Sequence, residues 1–172
     1  MRTIVITAGH SNTDPGAVNG SVTEAHIVTD FRNMVAHYLR EAQVAFVTDG
    51  TQSDNWPLSK AIGLIKPGNL AVEFHCNAAA NPKATGVETL SGLKDKATGA
   101  VLCQAVASTL NIANRGAKDE GSGQHSRLGF VQAGGIILEL FFISNPDELR
   151  AYLDKKWLVA RAVAEKLIAL AK

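Results

Sequence analysis

Short apolar runs and longer amphipathic stretches alternate along the whole chain. Thr3–Ala8 is a β-branched run that stops at Gly9, the pattern of a buried strand. Ile27, Val28, Phe31, Met34, Val35, Tyr38, Leu39 and Ala42 recur at helical spacing. Arg32, Arg40 and Glu41 fall between them, so this helix has one apolar face and one wet one. Val44–Thr48 predicts a second strand, closed by Asp49-Gly50. A shorter helix around Leu58–Ile65 follows Trp56-Pro57 and stops at Pro67-Gly68. Leu70–His75 and Gly86–Leu90 predict two more strands, and helical character returns over Asp95–Ala113. Asn114–Gln124 is rich in Gly and charge and predicts a long functional loop. Leu128–Gln132 predicts a short strand, Gly134-Gly135 a turn and Ile136–Phe141 a central strand. Asn145-Pro146 combines an N-cap with Pro at the first helical position, and a last helix is expected over roughly Lys155–Ala171. The alternation implies an α/β fold, with a mostly parallel central sheet of about six strands and helices on both faces. No repeat, low-complexity tract or linker divides the chain, so residues 1–172 are read as one domain.

Composition narrows the classes without naming one. Of the 172 residues, 46% are apolar and 19% charged, which suits a globular core and excludes disordered and coiled-coil chains. Lys+Arg number 17 against 16 Asp+Glu, so the net charge of +1 offers no field for a nucleic acid or a membrane surface. Two cysteines are too few for a disulfide scaffold. No apolar stretch approaches the ~18 residues that cross a bilayer. MRTIVITAGH lacks the longer apolar core and cleavage site of a signal peptide, so synthesis in the cytoplasm without general export is expected. A monomer without stable membrane association is expected too.

Candidate chemistry gathers at strand ends, where ligands sit in α/β sheets. His10 follows the first strand, His75 ends the third, and Glu139 lies near the end of Ile136–Phe141. Two imidazoles and one or two carboxylates at a sheet edge make a zinc site, since catalytic zinc favours three N/O ligands and an open position. Plainer roles compete on spacing alone. His10 could cap the strand end, and Glu73, on the same face as His75, could orient or shield it. Ser21-Val22-Thr23-Glu24 has the capping-box pattern, with Ser21 as the cap, and this explains Glu24 without a metal. Glu139 resists a plain reading: a carboxylate inside Ile-Ile-Leu-Glu-Leu-Phe-Phe is costly to bury unless paired, ligated or protonated. Cys76 follows His75 directly, but neighbours on a strand face opposite ways, so it reads as a structural thiol. Cys103 reads as core, and His26 and His37 as solvated.

An ordered set of motifs resembles a known family. Gly9-His10, Asp14-Pro15-Gly16-Ala17, Glu24, Phe74-His75-Cys76-Asn77-Ala78, Gly86-Val87-Glu88-Thr89, Asn114-Arg115-Gly116 and Ile137 to Glu148 occur in the order found in zinc-dependent N-acetylmuramoyl-L-alanine amidases of the Amidase_3 type. The resemblance runs from about residue 3 to 170. It implies that His10, Glu24 and His75 ligate one Zn²⁺ and that Glu139 is the catalytic carboxylate. It also implies the family's twisted sheet flanked by helices. Two departures touch the surroundings of the ligands and not the ligands themselves. Thr7-Ala8-Gly9-His10-Ser11 stands where many relatives have Asp-x-Gly-His-Gly, and Glu73 stands where a small polar residue is common.

The resemblance further implies the substrate: the amide between N-acetylmuramic acid and L-alanine in peptidoglycan. Glu139 is expected to take a proton from the attacking water and return it to the departing nitrogen. Arg115, Lys118 and Arg127 are candidates for the stem-peptide carboxylates, Asn77 for the muramyl side, and His125 for the groove edge. Without an export signal, the expected role is a single-domain phage endolysin, made in the host cytoplasm and reaching the wall after the membrane is breached. A bacterial lysis enzyme, a non-catalytic peptidoglycan-binding relative and a metallopeptidase acting on another wall amide are the alternatives.

Overall fold

The first half of the chain contributes strands β1 (Ile4–Ala8), β2 (Val18–Asn19) and β3 (Val22–Thr23), helix α1 (Glu24–Glu41), strand β4 (Phe46–Thr48), helix α2 (Leu58–Gly63) and strand β5 (Leu70–Asn77). Strand β6 (Val87–Ser91), helix α3 (Lys96–Leu110), strand β7 (Asn114–Asp119), helix α4 (Gly129–Gln132), strand β8 (Ile136–Phe142) and helix α5 (Pro146–Ala171) follow. The computed structural model describes residues 1–123 and 126–172. Six strands form one sheet in the order β4-β1-β5-β8-β6-β7. β4, β1, β5 and β8 run parallel, β6 is antiparallel to β8, and β7 is parallel to β6. The expected mostly parallel six-stranded sheet is therefore present.

Alternation along the strands gives the sheet two unlike faces. Ile4 and Ile6 of β1, Leu70, Val72, Phe74 and Cys76 of β5, and Leu138 and Leu140 of β8 are buried in one large core. That core is closed by α1, α3 and α5 through residues such as Phe31, Val106 and Val163. The residues in between face the other way. Val5, Ala71, Ile137 and Leu90 form a smaller cluster with Phe130 and Val131, beneath the short helices α2 and α4. Further along the same strands this face is polar: Thr7 pairs in register with Glu73, His75 with Glu139, and Glu139 with Glu88. Helices cover both faces, but the second is covered only at one end. The uncovered end carries the polar row.

Several local expectations need correction. Asn114–Gln124 is not one long loop: Asn114–Asp119 is the edge strand β7, followed by a 3-10 turn at Glu120–Ser122. An edge strand needs few apolar residues, so its composition mimics a loop. Leu128–Gln132 contains a short helix and not a strand, because Phe130 and Val131, adjacent in sequence, bury into the same cluster. The N-cap of α1 is Thr23, whose hydroxyl accepts the His26 N–H at 3.2 Å, and not Ser21. Ser21 lies in the turn of the β2–β3 hairpin, which no apolar pattern announced. α5 begins at Pro146 and not near Lys155, with the Asn145 side-chain oxygen Oδ1 accepting from the Asp147 and Glu148 N–H groups at 3.0 and 3.2 Å.

Candidate active site

The turn that carries His10 is braced from beneath by a buried ion pair. Arg32 on α1 and Asp49 after β4 are both fully buried, with Nη1 to Oδ1 at 2.9 Å. The Ala8 N–H, at the end of β1, donates to both Asp49 oxygens at 3.3 and 3.2 Å. Burial pushes the Asp49 carboxyl up to about 6 against the opposing pull of the guanidinium. Arg32 also donates to the Asp54 carbonyl at 2.8 Å, fixing the segment that ends at Asn55. Asn55 in turn donates from Nδ2 to the Gly9 carbonyl at 2.9 Å and from its N–H to Asn12 Oδ1 at 2.6 Å. His10 adopts φ +68°, a left-handed conformation costing about 1–2 kcal/mol outside glycine, and these contacts hold it there.

Glu24, at the first position of α1, is placed between the two imidazoles. Its Oε2 accepts the Ala17 N–H at 3.0 Å and its Oε1 accepts the Cys76 N–H at 2.9 Å. His75 Nδ1 lies 3.1 Å from Oε1, and His10 Nε2 lies 2.9 Å from Oε2. Each imidazole is steadied at its other nitrogen: His10 Nδ1 by Asp14 Oδ2 at 3.0 Å, His75 Nε2 by Glu73 Oε1 at 3.1 Å. Thr7 donates to the remaining Glu73 oxygen at 3.1 Å. Ring nitrogens backed by carboxylates are the usual surroundings of metal-binding histidines.

Burial alone would raise the Glu24 carboxyl, but the close approach of His10 and His75, with the hydrogen bond from His75, holds it far below the usual carboxylate range. The same contacts act in reverse on the imidazoles. Burial would lower both, yet Glu24, with Asp14 for His10 and Glu73 for His75, raises both, His75 strongly.

The donor set fits a divalent cation such as zinc. Ligand atoms of His10, Glu24 and His75 all lie within 4.8 Å of one another. His10 Nε2 is close to Glu24 Oε2 but outside hydrogen-bonding angles, so this buried nitrogen has no hydrogen-bond partner among the described residues. Two donor atoms that approach without bonding each other are arranged for a third body. Gly16, at φ +64°, passes so close that a Cβ would come within 2.6 Å of His10 Nε2 and 2.7 Å of Glu24 Oε2. Only a residue without a side chain leaves that space open.

Glu139 sits beside this cluster, in register with His75 on β5 and Glu88 on β6. Its Oε2 is buried without a hydrogen-bond partner among the described residues. Burial pushes its carboxyl up to about 7, with Glu24 and Glu88 adding to the rise and His75 and His10 opposing it. Such an acid changes protonation near neutral pH, as a group that both accepts and returns a proton requires. His10, Glu24, His75 and Glu139 all line one cavity of about 560 Å³.

The sequence model of the Amidase_3 family, described as N-acetylmuramoyl-L-alanine amidase, matches residues 4–169. The chain belongs to this amidase family. A protein from Neisseria meningitidis described as an N-acetylmuramoyl-L-alanine amidase is 48% identical, with a TM-score of 0.89 over 98% of this chain and 94% of that one. The catalytic domain of the amidase CwlV from Bacillus (Paenibacillus) polymyxa var. colistinus shares the fold at 21% identity and a TM-score of 0.86, over 99% of this chain and 98% of that one. So does the catalytic domain of the CD27L endolysin targeting Clostridia difficile, at 19% identity and 0.77, over 99% and 98%. A search of curated proteins finds no match.

The remaining residues predicted for the amidase groove fall into three groups. Asn77 and Arg115 line the cavity, but both are engaged with Glu88: Asn77 Nδ2 donates to Oε1 at 3.1 Å and Arg115 Nε to Oε2 at 2.5 Å. Lys118 also bonds Glu88 Oε2, at 2.7 Å, and is not among the lining residues. Arg127 donates to Gln132 Oε1 at 2.6 Å on the exposed surface and is not among the lining residues, although its neighbour Leu128 is. His125 lies outside the described residues. Cys76 is buried on the packed face, its thiol raised well above the ordinary value by burial, which fits a structural role. Sequence reasoning gave no role to Asp14 or Glu88. Asp14, four residues after His10, had a legible spacing but no strand or helix to give it direction.

Proposed function

We propose that this peptidoglycan amidase is zinc-dependent, that Glu139 is its proton-transferring residue, and that it serves host-cell lysis as a phage endolysin. The observation that carries the first two parts is the convergence of His10, Glu24 and His75 beside an unpartnered buried carboxylate in one cavity. His10, Glu24 and His75 would hold the ion, oriented by Asp14 and Glu73. When bound, zinc supplies Lewis-acid charge that polarises a carbonyl and acidifies water.

The remaining chemistry belongs to the chain. Glu139, as carboxylate, accepts a proton from the water that attacks the lactyl carbonyl carbon. It then gives that proton to the alanine nitrogen as the C–N bond breaks. The products are a lactyl carboxylate and a stem peptide with a free amino terminus. The raised Glu139 carboxyl suits both halves of this transfer. Retention of all four groups in one cavity speaks against a purely wall-binding role. Glu139→Gln is expected to fold and bind zinc yet lose about 10²–10⁴-fold in turnover; full activity would remove Glu139 from the mechanism.

The lysis role has separate support. The fold is also that of the catalytic domain of the CD27L endolysin. A bacterial enzyme of wall turnover is the second reading, favoured by the 48% identity to the Neisseria protein. Expression in a bacterial host separates them. An endolysin leaves growing cells intact and lyses them once the inner membrane is permeabilised. Survival after permeabilisation would contradict the lysis role.

A further inference from the structure

Arg115 is held more firmly than a residue on an edge strand needs to be. Its aliphatic stem crosses Gly86, which sits at φ +112°; a Cβ there would come within 2.8 Å of Arg115 Cγ and 3.0 Å of Cδ. Its guanidinium carbon lies 5.1 Å from the centre of the Phe142 ring, a cation–π contact. Its Nε donates to Glu88 Oε2 at 2.5 Å. Stem, plane and inner nitrogen are all fixed, while neither terminal nitrogen has a hydrogen-bond partner among the described residues. Arg115 lines the same cavity as Glu139.

Glu88 is the hub of this arrangement. It is only 5% exposed and stands in register with Glu139. One oxygen accepts from Asn77, and the other is shared by Arg115 and Lys118. Burial would raise its carboxyl, but the Lys118 and Arg115 contacts more than offset that and keep it ionised. Two cations on one carboxylate leave a net positive charge, exposed to the cavity through the free edge of Arg115. A planar guanidinium with free terminal nitrogens matches a carboxylate in two-point contact.

We propose that Arg115, positioned by Glu88, recognises a free carboxylate on the stem peptide and makes the amidase selective for stems that bear one. This rests on the amidase reading and deepens it. The reach follows from the sheet. Neighbouring strands lie about 4.8 Å apart, so β7 is roughly 10 Å from β8, with β6 between them. An extended peptide covers about 3.3–3.6 Å per residue, which places the recognised carboxylate two to three residues beyond the cut amide. The α-carboxylate of a D-glutamyl second residue and a carboxylate of a diaminopimelyl third residue share this chemistry.

The test uses the zinc-loaded protein on two substrate pairs. One pair is N-acetylmuramyl-L-alanyl-D-glutamate and its α-carboxamide; the other is the diaminopimelyl tripeptide and its amidated form. In one pair, the wild type is expected to favour the free acid by about tenfold or more in kcat/KM, mainly through KM. The responding pair identifies the carboxylate. Arg115→Met should collapse the ratio to within about twofold, and Glu88→Gln should reduce it by about threefold or more. Arg150→Ala, which removes a positive charge from the exposed surface of α5, should leave the ratio unchanged. If Arg115→Met does not fold, Arg115→Lys keeps the charge without the fork and should lower the ratio at least threefold. No preference in either pair, or a preference that survives both Arg115 variants, overturns the proposal. Failure of the wild type to cut any of the four would overturn the amidase reading itself.

Discussion

Along β5, Phe74 and Cys76 point into the layer closed by α1 and α5, whereas Glu73 and His75, between and beside them, point to the open face. Phe74 is fully buried and meets the Phe31 ring edge-on at 4.9 Å, so its environment is complete within the fold. His75 is held between two acids, and Glu139, its register partner, has a buried oxygen with nothing to bond. One face is a solved packing problem. The other keeps charges close together and leaves part of them unsatisfied, which costs stability and supplies reactivity. The difference teaches that function here depends on one half of a two-residue alternation.

Substitutions on the open face should affect chemistry far more than folding, and Glu139→Gln is the sharpest case. Turnover is expected to fall about 10²–10⁴-fold in a wall-digestion assay, with the circular dichroism spectrum and zinc content unchanged. Loss of the fold in this variant would blur the contrast between the faces. Phe74→Ala should do the reverse, one residue before His75. A stability loss of about 3–5 kcal/mol is expected by denaturant unfolding, with near-normal zinc content in the folded fraction. A small loss would mean that the packed face is less complete than it looks.

Much of this was legible in the sequence because its signals were local. Strand–helix alternation, the Asn145-Pro146 helix start and the misfit of Glu139 in an apolar run all survive in the structure. What stayed hidden depends on partners far apart in sequence. Glu24 reads locally as part of a capping box with Ser21. In the fold, Thr23 caps and Glu24 is drawn to His75, 51 residues away. Glu88 falls in one of the motifs of the resemblance, but nothing local gives it a role: its meaning comes from standing in register with Glu139 while β7 brings Arg115 and Lys118 beside it. β7 itself reads as a loop because an edge strand owes its order to pairing rather than to apolar residues.

Two smaller effects test how the open face is braced. Asp14→Asn removes the charge behind His10 Nδ1, and zinc affinity measured by competition with a chromophoric chelator should fall about 10–100-fold. Unchanged affinity would remove Asp14 from the support of the ligand. The second effect concerns the stability cost of Glu139 in chelator-treated protein. Burial, with Glu24 and Glu88, raises its folded-state carboxyl to about 7, above the unfolded value near 4.5. The folded state therefore binds that proton more tightly, and wild-type stability falls as pH rises from about 5 through 7. Gln has no proton to lose. Glu139→Gln should be more stable than wild type by ~1–3 kcal/mol at pH 8, with the gap closing towards pH 5. A constant gap across this range would show that Glu139 is not strained.

The most direct test of the account is digestion of purified peptidoglycan by the protein as prepared, after exhaustive chelation, and after zinc is restored, with product masses read out. Stem peptides with free L-alanine amino termini should appear, vanish on chelation and return with zinc. Cleavage that survives chelation, or products cut within the stem peptide, would contradict a zinc-held amidase site at His10, Glu24 and His75.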